Sequence, residues 1–442
     1  MAPSAAWHVE DLTLSNFRCF SHVEMSFDPQ LTIIVGTNGS GKSTILDGLI
    51  VMLGPIVREL GDDSNYSFAE SDVRSEPRNL DSVGGVAEMV LRYPVEGEMQ
   101  ATVAGHSLAW SRRKSSPGRY TSRISGDLKA RMTDVVAEAK DAVGPEPVLP
   151  VIAAYGVERL LGVRRASGAI GKTRFGAYAA ALDRQSDLSR LSGFLADLAT
   201  SISNAHAFGD EPPLAARAQF DAIERACGIV LAETGWARPR WNPLVDAITL
   251  THPRYGTLPL AYLSTGIKIT AGLVIDLASR MARANPSLGS ADLLDTVSGV
   301  VMIDEIDLHL HTTWQQSIVA ALQRAFPRVQ FIVTTHSPQV LSTVGAEHVR
   351  VLDGETVRRV EHAEGLRSDV VMREILGTDP EPDVPPRRSL HEYMAMVRQG
   401  LGTTNEAKQL RARLEHELGG IDNIPEFADA DAAIAFDEIL GE

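Results

Sequence analysis

The sequence predicts an α/β fold with a buried β-sheet at its core, and three segments support this prediction. Each is a short, mostly apolar run that ends in a polar motif, and the runs span residues 31–35, 299–303 and 330–334. Continuous apolar runs of this length are typical of strands that are buried on both faces. A glycine-rich loop and an apolar helical segment at residues 45–50 follow the first run, so strand, turn and helix occur in the order of an α/β unit.

The glycine-rich loop is a complete phosphate-binding motif. Residues 36–44 read Gly-Thr-Asn-Gly-Ser-Gly-Lys-Ser-Thr, which is glycine, four residues and then Gly-Lys-Ser. Backbone N–H groups of such a loop surround phosphate oxygens at a helix N-terminus, where the dipole favours anions. Lys42 is predicted to reach the β- and γ-phosphates, and Ser43 to bind Mg²⁺. The chain is therefore predicted to bind ATP through Asn38, Gly39, Ser40, Gly41, Lys42, Ser43 and Thr44.

The other two strand ends carry candidate catalytic side chains. Asp304 is predicted to hold Mg²⁺, and Glu305 to polarise water for attack on the γ-phosphate. His336 is predicted to hydrogen-bond the γ-phosphate or to position the water. The simpler alternatives, a charged loop and a structural histidine, are less favoured because the phosphate loop is present in the same chain.

A fourth motif precedes a helix that is predicted from residue 265 to about residue 284. Residues 263–266 read Leu-Ser-Thr-Gly, and a Ser-x-Gly turn at a helix N-terminus is an anion site. Ser264 and Gly266 are the candidate anion-binding residues. Such turns are also common helix caps, so the motif is weak by itself.

Composition excludes several classes of function. The formal net charge of the 442 residues is −15, so contact with DNA would need a local basic patch. Basic side chains between residues 112 and 131 and between 159 and 174 form two such candidates, which could equally be solvated loops.

Two cysteines without metal-ligand spacing indicate a reducing cytoplasm. No apolar stretch reaches the roughly 20 residues of a membrane span, and we expect neither a membrane segment nor a signal peptide.

Other segments predict the elements that surround the core. Residues 8–27 alternate between apolar and polar side chains, which predicts two antiparallel strands, and residues 84–125 also have a strand pattern. Residues 178–235 are predicted to be helical, with a break at 209–213. The C-terminal predictions are a helix at about 313–325, a hairpin at 349–357, a linker at 380–386, and amphipathic helices at about 389–399 and 404–418.

Taken in order, the four motifs resemble the ABC-type ATPase head of the SMC, RecF and OLD group. Residues 36–44 match its Walker A motif, 263–266 its signature, 303–305 its Walker B motif, 306–309 its D-loop, and His336 its switch histidine; residues 14–20 look like its first hairpin. The resemblance covers roughly residues 8–360. It is closest to small bacterial ATPases that include the ATPase subunit of Septu-type antiphage systems, on residues 303–311 and 314–316.

The resemblance implies a head with a mixed central sheet and a domain organisation. Residues 1–177 would form the N-terminal part of the head with an antiparallel β subdomain. Residues 178–290 would form a helical insertion that carries the signature, and residues 291–360 the C-terminal part of the head. Residues 361–442 would form a linker and a small C-terminal helical extension.

The resemblance also implies how the site works. In such heads the signature of one subunit faces the phosphate loop of the other, so Ser264 and Gly266 would contact the γ-phosphate in trans. The protein would then be at least a homodimer. Arg18 would reach a phosphate, although it could also be a solvated hairpin arginine. No Q-loop glutamine is evident, and Asp72 is the best substitute for that contact to Mg²⁺ and water.

The function that follows is a dimeric ATPase that uses ATP and Mg²⁺ and gates a partner effector, such as an HNH nuclease, in bacterial antiphage defence. Two alternatives stay open: a RecF-like DNA repair ATPase, and a scaffold whose ATP is structural. We expect no nuclease within the chain. Asp429 and Asp431 resemble a metal-binding carboxylate pair, but they lack the preceding buried strand that such a pair needs.

Overall fold

The computed structural model describes residues 6–78, 88–119, 121, 122, 124, 126–141, 146–157, 173–184, 188–419 and 424–440. The chain forms two compact units, Met1–Val371 and Met372–Glu442. Within the described residues, no helix combines the length and the apolar character that crossing a membrane requires.

The strands are, in chain order, β1 (His8–Phe17), β2 (Phe20–Ser26), β3 (Leu31–Val35), β4 (Ser75–Arg78), β5 (Glu88–Leu91), β6 (Val95–Val103), β7 (His106–Lys114), β8 (Val151–Tyr155), β9 (Ala237–Asn242), β10 (Ala247–His252), β11 (Gly256–Pro259), β12 (Gly299–Ile303), β13 (Val329–Thr334), β14 (Val349–Asp353) and β15 (Thr356–Arg359). The helices are α1 (Lys42–Glu59), α2 (Asp127–Lys140), α3 (Leu188–Phe208), α4 (Leu214–Val230), α5 (Thr265–Ala284), α6 (Ser290–Thr296), α7 (Thr312–Gln315), α8 (Ile318–Ala325), α9 (Pro338–Leu341), α10 (Ser368–Glu374), α11 (Pro385–Arg398), α12 (Asn405–Glu417) and α13 (Glu426–Leu440).

A six-stranded sheet forms the centre of the first unit, in the order β15-β14-β3-β13-β12-β8. The pairs from β14 to β8 are parallel, and β15 pairs antiparallel with β14. Strands β3, β8, β12 and β13 are buried along their whole length. The predicted α/β fold with a mixed sheet is therefore confirmed. Because the parallel strands share one direction, the phosphate loop, Asp304, Glu305 and His336 all follow the same sheet edge.

A second, antiparallel sheet in the order β2-β1-β6-β7 forms the predicted β subdomain. Its inner face packs on α1: a Cβ on Gly48 would touch the Leu14 side chain at 2.6 Å. The Trp110 indole also donates to the carbonyl of Met52 at 3.1 Å. This packing fixes α1, and with it the phosphate loop, between the two sheets.

The segment that carries the signature contains more than the predicted helices. Between α4 and α5 lies a three-stranded antiparallel sheet in the order β11-β10-β9, which the sequence prediction missed. Its strands are short, and prolines at 239, 243, 253 and 259 obscure the alternation that identifies a strand. Helix α5 begins and ends where the sequence predicted, at Thr265 and Ala284.

Among its described residues, the second unit contains the end of α10 and the helices α11, α12 and α13, and the sequence predicted α11 and α12. Its buried core includes Leu390, Tyr393, Leu414 and Phe427. Helix α13 was missed because its residues are mainly alanine and acidic, without a clear apolar stripe. Asp431, on α13, forms an ion pair with Arg411 of α12, so its carboxylate joins two helices.

Part of the first basic segment has a structural role in the fold. Arg112 and Lys114 are buried, Lys114 pairs with Glu70 at 3.0 Å, and Arg113 pairs with Glu96 at 2.9 Å. In the second segment, Arg174 pairs with Glu146. Arg123, Arg159, Arg164, Arg165 and Lys172 lie outside the described residues.

Arg112 supplies a hydrogen-bond donor that helix α1 lacks. Pro55 lies inside that helix and has no N–H to donate to the carbonyl of Val51, four residues earlier. The Arg112 guanidinium donates to this carbonyl, and also to the carbonyl of Tyr66 at 2.6 Å. Burial, with a smaller effect from Arg58, lowers the pKa of Arg112 to about 10. The arginine therefore stabilises a proline-containing helix beside the phosphate loop.

Replacing Arg112 by methionine is expected to destabilise the chain by about 2–3 kcal/mol, because the buried carbonyl of Val51 and the partly buried carbonyl of Tyr66 lose their donor. Urea unfolding of the full chain measures this loss. The control is Arg113→Met, whose side chain is 54% exposed and whose loss should change stability by less than about 0.5 kcal/mol. Equal effects of the two variants would contradict the structural role of Arg112.

Candidate functional site

The phosphate loop connects β3 to α1, as the sequence predicted. Gly41 caps α1 with a φ of 100°, in the left-handed region that favours glycine, and a Cβ there would collide with the Phe20 ring. Lys42 Nζ donates to the carbonyls of Gly36 and Thr37 at 3.0 and 2.9 Å. Two of its three protons are thus used to hold the ammonium group over the loop, and one is available for a phosphate oxygen.

Two further observations on the loop fit a bound phosphate. The buried Oγ of Ser40 has no hydrogen-bond partner among the described residues, and a buried hydroxyl of this kind normally has one. Burial lowers the pKa of Lys42, while Asp304 and Glu305 act in the opposite direction. A nucleotide phosphate would supply the missing acceptor for Ser40 and a counter-charge for Lys42.

Asp304 and Ser43 meet across the sheet edge. Ser43 Oγ donates to Asp304 Oδ2 at 2.8 Å, and Thr334 Oγ1 donates to Asp304 Oδ1 at 2.6 Å. The backbone N–H of Asp304 donates to the carbonyl of Tyr155, on the neighbouring strand β8, at 2.8 Å. A hydroxyl and a carboxylate are oxygen donors of the kind that Mg²⁺ prefers beside phosphates. The donor set therefore fits the predicted metal.

Glu305 has a backbone conformation that is uncommon outside glycine. Its φ is 48°, and its N–H donates to Thr334 Oγ1 at 2.8 Å. The next residue, Ile306, donates to the Thr334 carbonyl at 3.0 Å. Thr334 thus fixes both carboxylate residues, and the sequence analysis gave it no role. Strained conformations of this kind cluster at functional sites.

His336 follows β13 and is surrounded by charged groups. Burial and the positive charge of Lys42 lower its pKa below the ordinary value of 6.5, although Glu305, Asp307 and Asp304 act in the opposite direction. The ring is therefore mainly neutral at pH 7 and can donate or accept a hydrogen bond. His336 is therefore close enough to Lys42, Asp304 and Glu305 for their charges to affect its pKa.

Arg18 and Asp72 contact each other. Arg18 Nε donates to Asp72 Oδ1 at 2.9 Å, and its guanidinium also pairs with Asp47 on α1. Burial would lower the pKa of Arg18, but Asp47 and Asp72 outweigh it and raise the pKa. Asp72 Oδ2 accepts from the N–H of Ala69 at 2.8 Å. Arg18 and the backbone N–H of Ala69 thus bind the two Asp72 oxygens. Among the described residues, no hydrogen bond joins Asp72 to Ser43.

A residue that the sequence analysis missed completes the site. Arg184 Nη1 pairs with Asp47 Oδ1 at 2.8 Å, and Arg184 Nη2 pairs with Asp304 Oδ2. No motif marks this arginine, which lies 120 residues before Asp304. The ion pairs form a continuous chain of carboxylates and guanidinium groups, in the order Asp72, Arg18, Asp47, Arg184 and Asp304.

The signature lies at the N-terminus of α5 and packs on the D-loop. Ser264 is the exposed N-cap residue, and Gly266 is buried, where a Cβ would collide with the carbonyl of His309. Among the described residues, no hydrogen bond or ion pair joins the side chain of Ser264 or Thr265 to residues 36–44. The structure thus brings together Lys42, Ser43, Asp304, Glu305 and His336, but it does not connect the signature to them within one chain.

Two family models match the chain. A model described as an AAA domain matches residues 11–202. A second AAA-domain model, named for the AbiEii toxin of a type IV TA system, matches residues 158–342. Together the matches include all four motifs.

The chain is also similar to individual proteins. It is 27% identical to the "Retron Ec83 probable ATPase" of Escherichia coli, over 93% of this chain and 84% of that protein. It is 25% identical to the "Retron Vc95 probable ATPase" of Vibrio cholerae, over 79% of this chain and 74% of that protein. A shorter match of 66 residues is 48% identical to the Septu protein PtuA of Bacillus mycoides, and it covers 15% of this chain and 8% of PtuA.

Proposed function

We infer that this chain, an AAA-domain ATPase related to the retron ATPases and to the Septu protein PtuA, is an ATP-driven switch in antiphage defence. The switch is a dimer that closes when ATP binds and that gates a partner effector. We propose that this effector is a nuclease. The observation that carries the proposal is the convergence of Lys42, Ser43, Asp304, Glu305 and His336 at one sheet edge, in a chain whose relatives include Septu PtuA.

Each residue has a defined role in this proposal. Lys42 and the backbone of the phosphate loop bind and orient the triphosphate. Mg²⁺, when bound, would neutralise phosphate charge, and Ser43 and Asp304 would hold it. Glu305 accepts a hydrogen bond from the attacking water and so orients it. The neutral ring of His336 donates a hydrogen bond to the γ-phosphate.

The position of the signature supports the proposed dimer. Ser264 is exposed at the N-terminus of a 20-residue helix, and a helix N-terminus attracts anions. Since this terminus packs on the D-loop of its own chain, we propose that it serves the phosphate loop of a second copy. ATP between two copies would then favour the closed dimer, because the γ-phosphate contacts both.

The C-terminal unit is our candidate for effector contact. It folds around its own core, and helix α13 exposes Asp429 and Phe436, whose i, i+7 spacing places them on one helix face. An acidic and partly apolar helix face suits a basic partner surface.

Affinity purification tests the proposal. The tagged full chain with Glu305→Gln is expressed in its native host, purified in the presence of ATP, and the bound proteins are identified by mass spectrometry. We expect a stoichiometric effector that is encoded by a neighbouring gene. This effector should be absent when the Lys42→Ala variant is purified in the same way. DNA with recombination proteins would overturn the proposal in favour of a RecF-like repair ATPase. Dimers with no partner would contradict effector gating.

A further inference from the structure

The Asp304 carboxylate, which is proposed to bind Mg²⁺, already contacts a cation of the protein itself. Asp304 Oδ2 accepts from Ser43 Oγ at 2.8 Å and is paired with Arg184 Nη2. The other oxygen, Oδ1, accepts from Thr334. A guanidinium and a divalent metal cannot both contact Oδ2 closely without strong mutual repulsion. Arg184 therefore occupies the contact that the metal requires.

The surroundings of Arg184 allow the side chain to move away. One face of the arginine borders an open cleft of roughly 450 Å³, which is lined by Asp47, Ser64, Tyr66, Asp183 and Leu182. The Arg184 side chain is 26% exposed, whereas that of Asp304 is 4% exposed. The second guanidinium contact, to Asp47, lies at the edge of this cleft. Arg184 can thus leave Asp304 while it keeps Asp47 as a partner.

We propose that Arg184 is a positioning residue that competes with the metal for Asp304 and thereby sets the metal affinity of the ATPase site. The inference rests on the proposed magnesium site at Ser43 and Asp304. Without metal, Arg184 neutralises the buried Asp304 carboxylate and orients it toward Ser43. With metal bound, Asp304 would hold it, and Arg184 would keep its contact to Asp47 and turn toward the cleft. Arg184 lies four residues before α3, so this exchange changes a contact at the start of the segment that carries the signature.

Binding of Mn²⁺ alone to the nucleotide-free full chain tests this inference, with electron paramagnetic resonance of free Mn²⁺ as the readout. Arg184→Ala is expected to bind Mn²⁺ at least about tenfold more tightly than the native chain, because the metal no longer displaces a charged group. The conservative variant Arg184→Lys should restore weak binding. Arg113→Ala is the matched control: it removes a guanidinium that pairs with Glu96 and not with Asp47 or Asp304, so Mn²⁺ binding should change less than about twofold.

Two outcomes would overturn the inference. Native-like Mn²⁺ binding by Arg184→Ala, in a variant whose circular dichroism shows a folded chain, would mean that the arginine does not compete with metal. Tight binding that persists in the double variant Arg184→Ala/Asp304→Asn would place the metal elsewhere. Failure of the proposed magnesium site is distinguishable, because Asp304→Asn by itself would then leave the Mg²⁺ dependence of ATP binding unchanged.

Discussion

Replacing Glu305 by glutamine is expected to slow ATP hydrolysis by about 10²–10⁴-fold, the usual contribution of a positioned general base, while ATP binding is kept. The backbone hydrogen bond from Glu305 to Thr334, at 2.8 Å, does not depend on the side chain, so the geometry of the site should persist. With ATP bound and not hydrolysed, closed dimers should accumulate. Steady-state phosphate release and size-exclusion chromatography with ATP measure the two effects.

The matched control for this prediction is Glu347→Gln, the same substitution at an exposed carboxylate away from the site. It should leave both hydrolysis and oligomeric state unchanged. Native rates in Glu305→Gln would show that another group activates the water. A loss of ATP binding in that variant would instead mean that Glu305 mainly supports the fold of the site.

Mixing two inactive variants is expected to restore activity if the signature acts in trans. Lys42→Ala removes the ammonium group of the phosphate loop, and Ser264→Arg blocks the exposed helix N-terminus, so each homodimer should be inactive. In a mixed dimer, one of the two composite sites contains neither substitution. Random exchange of equal amounts should therefore recover about one quarter of the native activity. Phosphate release after co-expression, or after subunit exchange, measures the recovery.

The control for this experiment is a mixture of Lys42→Ala with Glu305→Gln. These residues lie in the same half of a composite site, because both belong to the sheet edge of one chain, so every site in the mixed dimer carries one of the two substitutions. No activity should return. If the mixture of Lys42→Ala and Ser264→Arg were also inactive, although mixed dimers had formed, the signature would not act in trans.

Sequence motifs identify some residues of the site, whereas other residues of the site belong to no motif. Lys42, Ser43, Asp304 and Glu305 are encoded by short contiguous patterns, and the strands that carry them are evident as apolar runs. Thr334 lies within one of these runs, but only the structure shows that it hydrogen-bonds both Asp304 and the backbone of Glu305. The support of these two candidate site carboxylates therefore depends on the pairing of β12 with β13.

The sequence by itself determined the α/β class, the central strands, helix α5 and the phosphate loop. The physical reason is locality: phosphate binding by a loop needs glycines, a lysine and a hydroxyl at fixed spacing, and a buried strand needs a continuous apolar run. The short β9–β11 sheet and helix α13 escaped prediction because prolines and an alanine-rich composition remove the periodic signal.

Only the tertiary structure decided which charged groups meet. Arg184 contacts Asp304 across 120 residues of sequence, Arg18 contacts Asp72 across 54, and Arg112 reaches the carbonyl of Val51 across 61. An arginine in a sequence has no local signature that separates a solvated side chain from one buried against carboxylates or carbonyls. Its partners are set by the packing of strands and helices that are distant in the chain, and in this protein that packing places Arg184 at the ATPase site and Arg112 beneath helix α1.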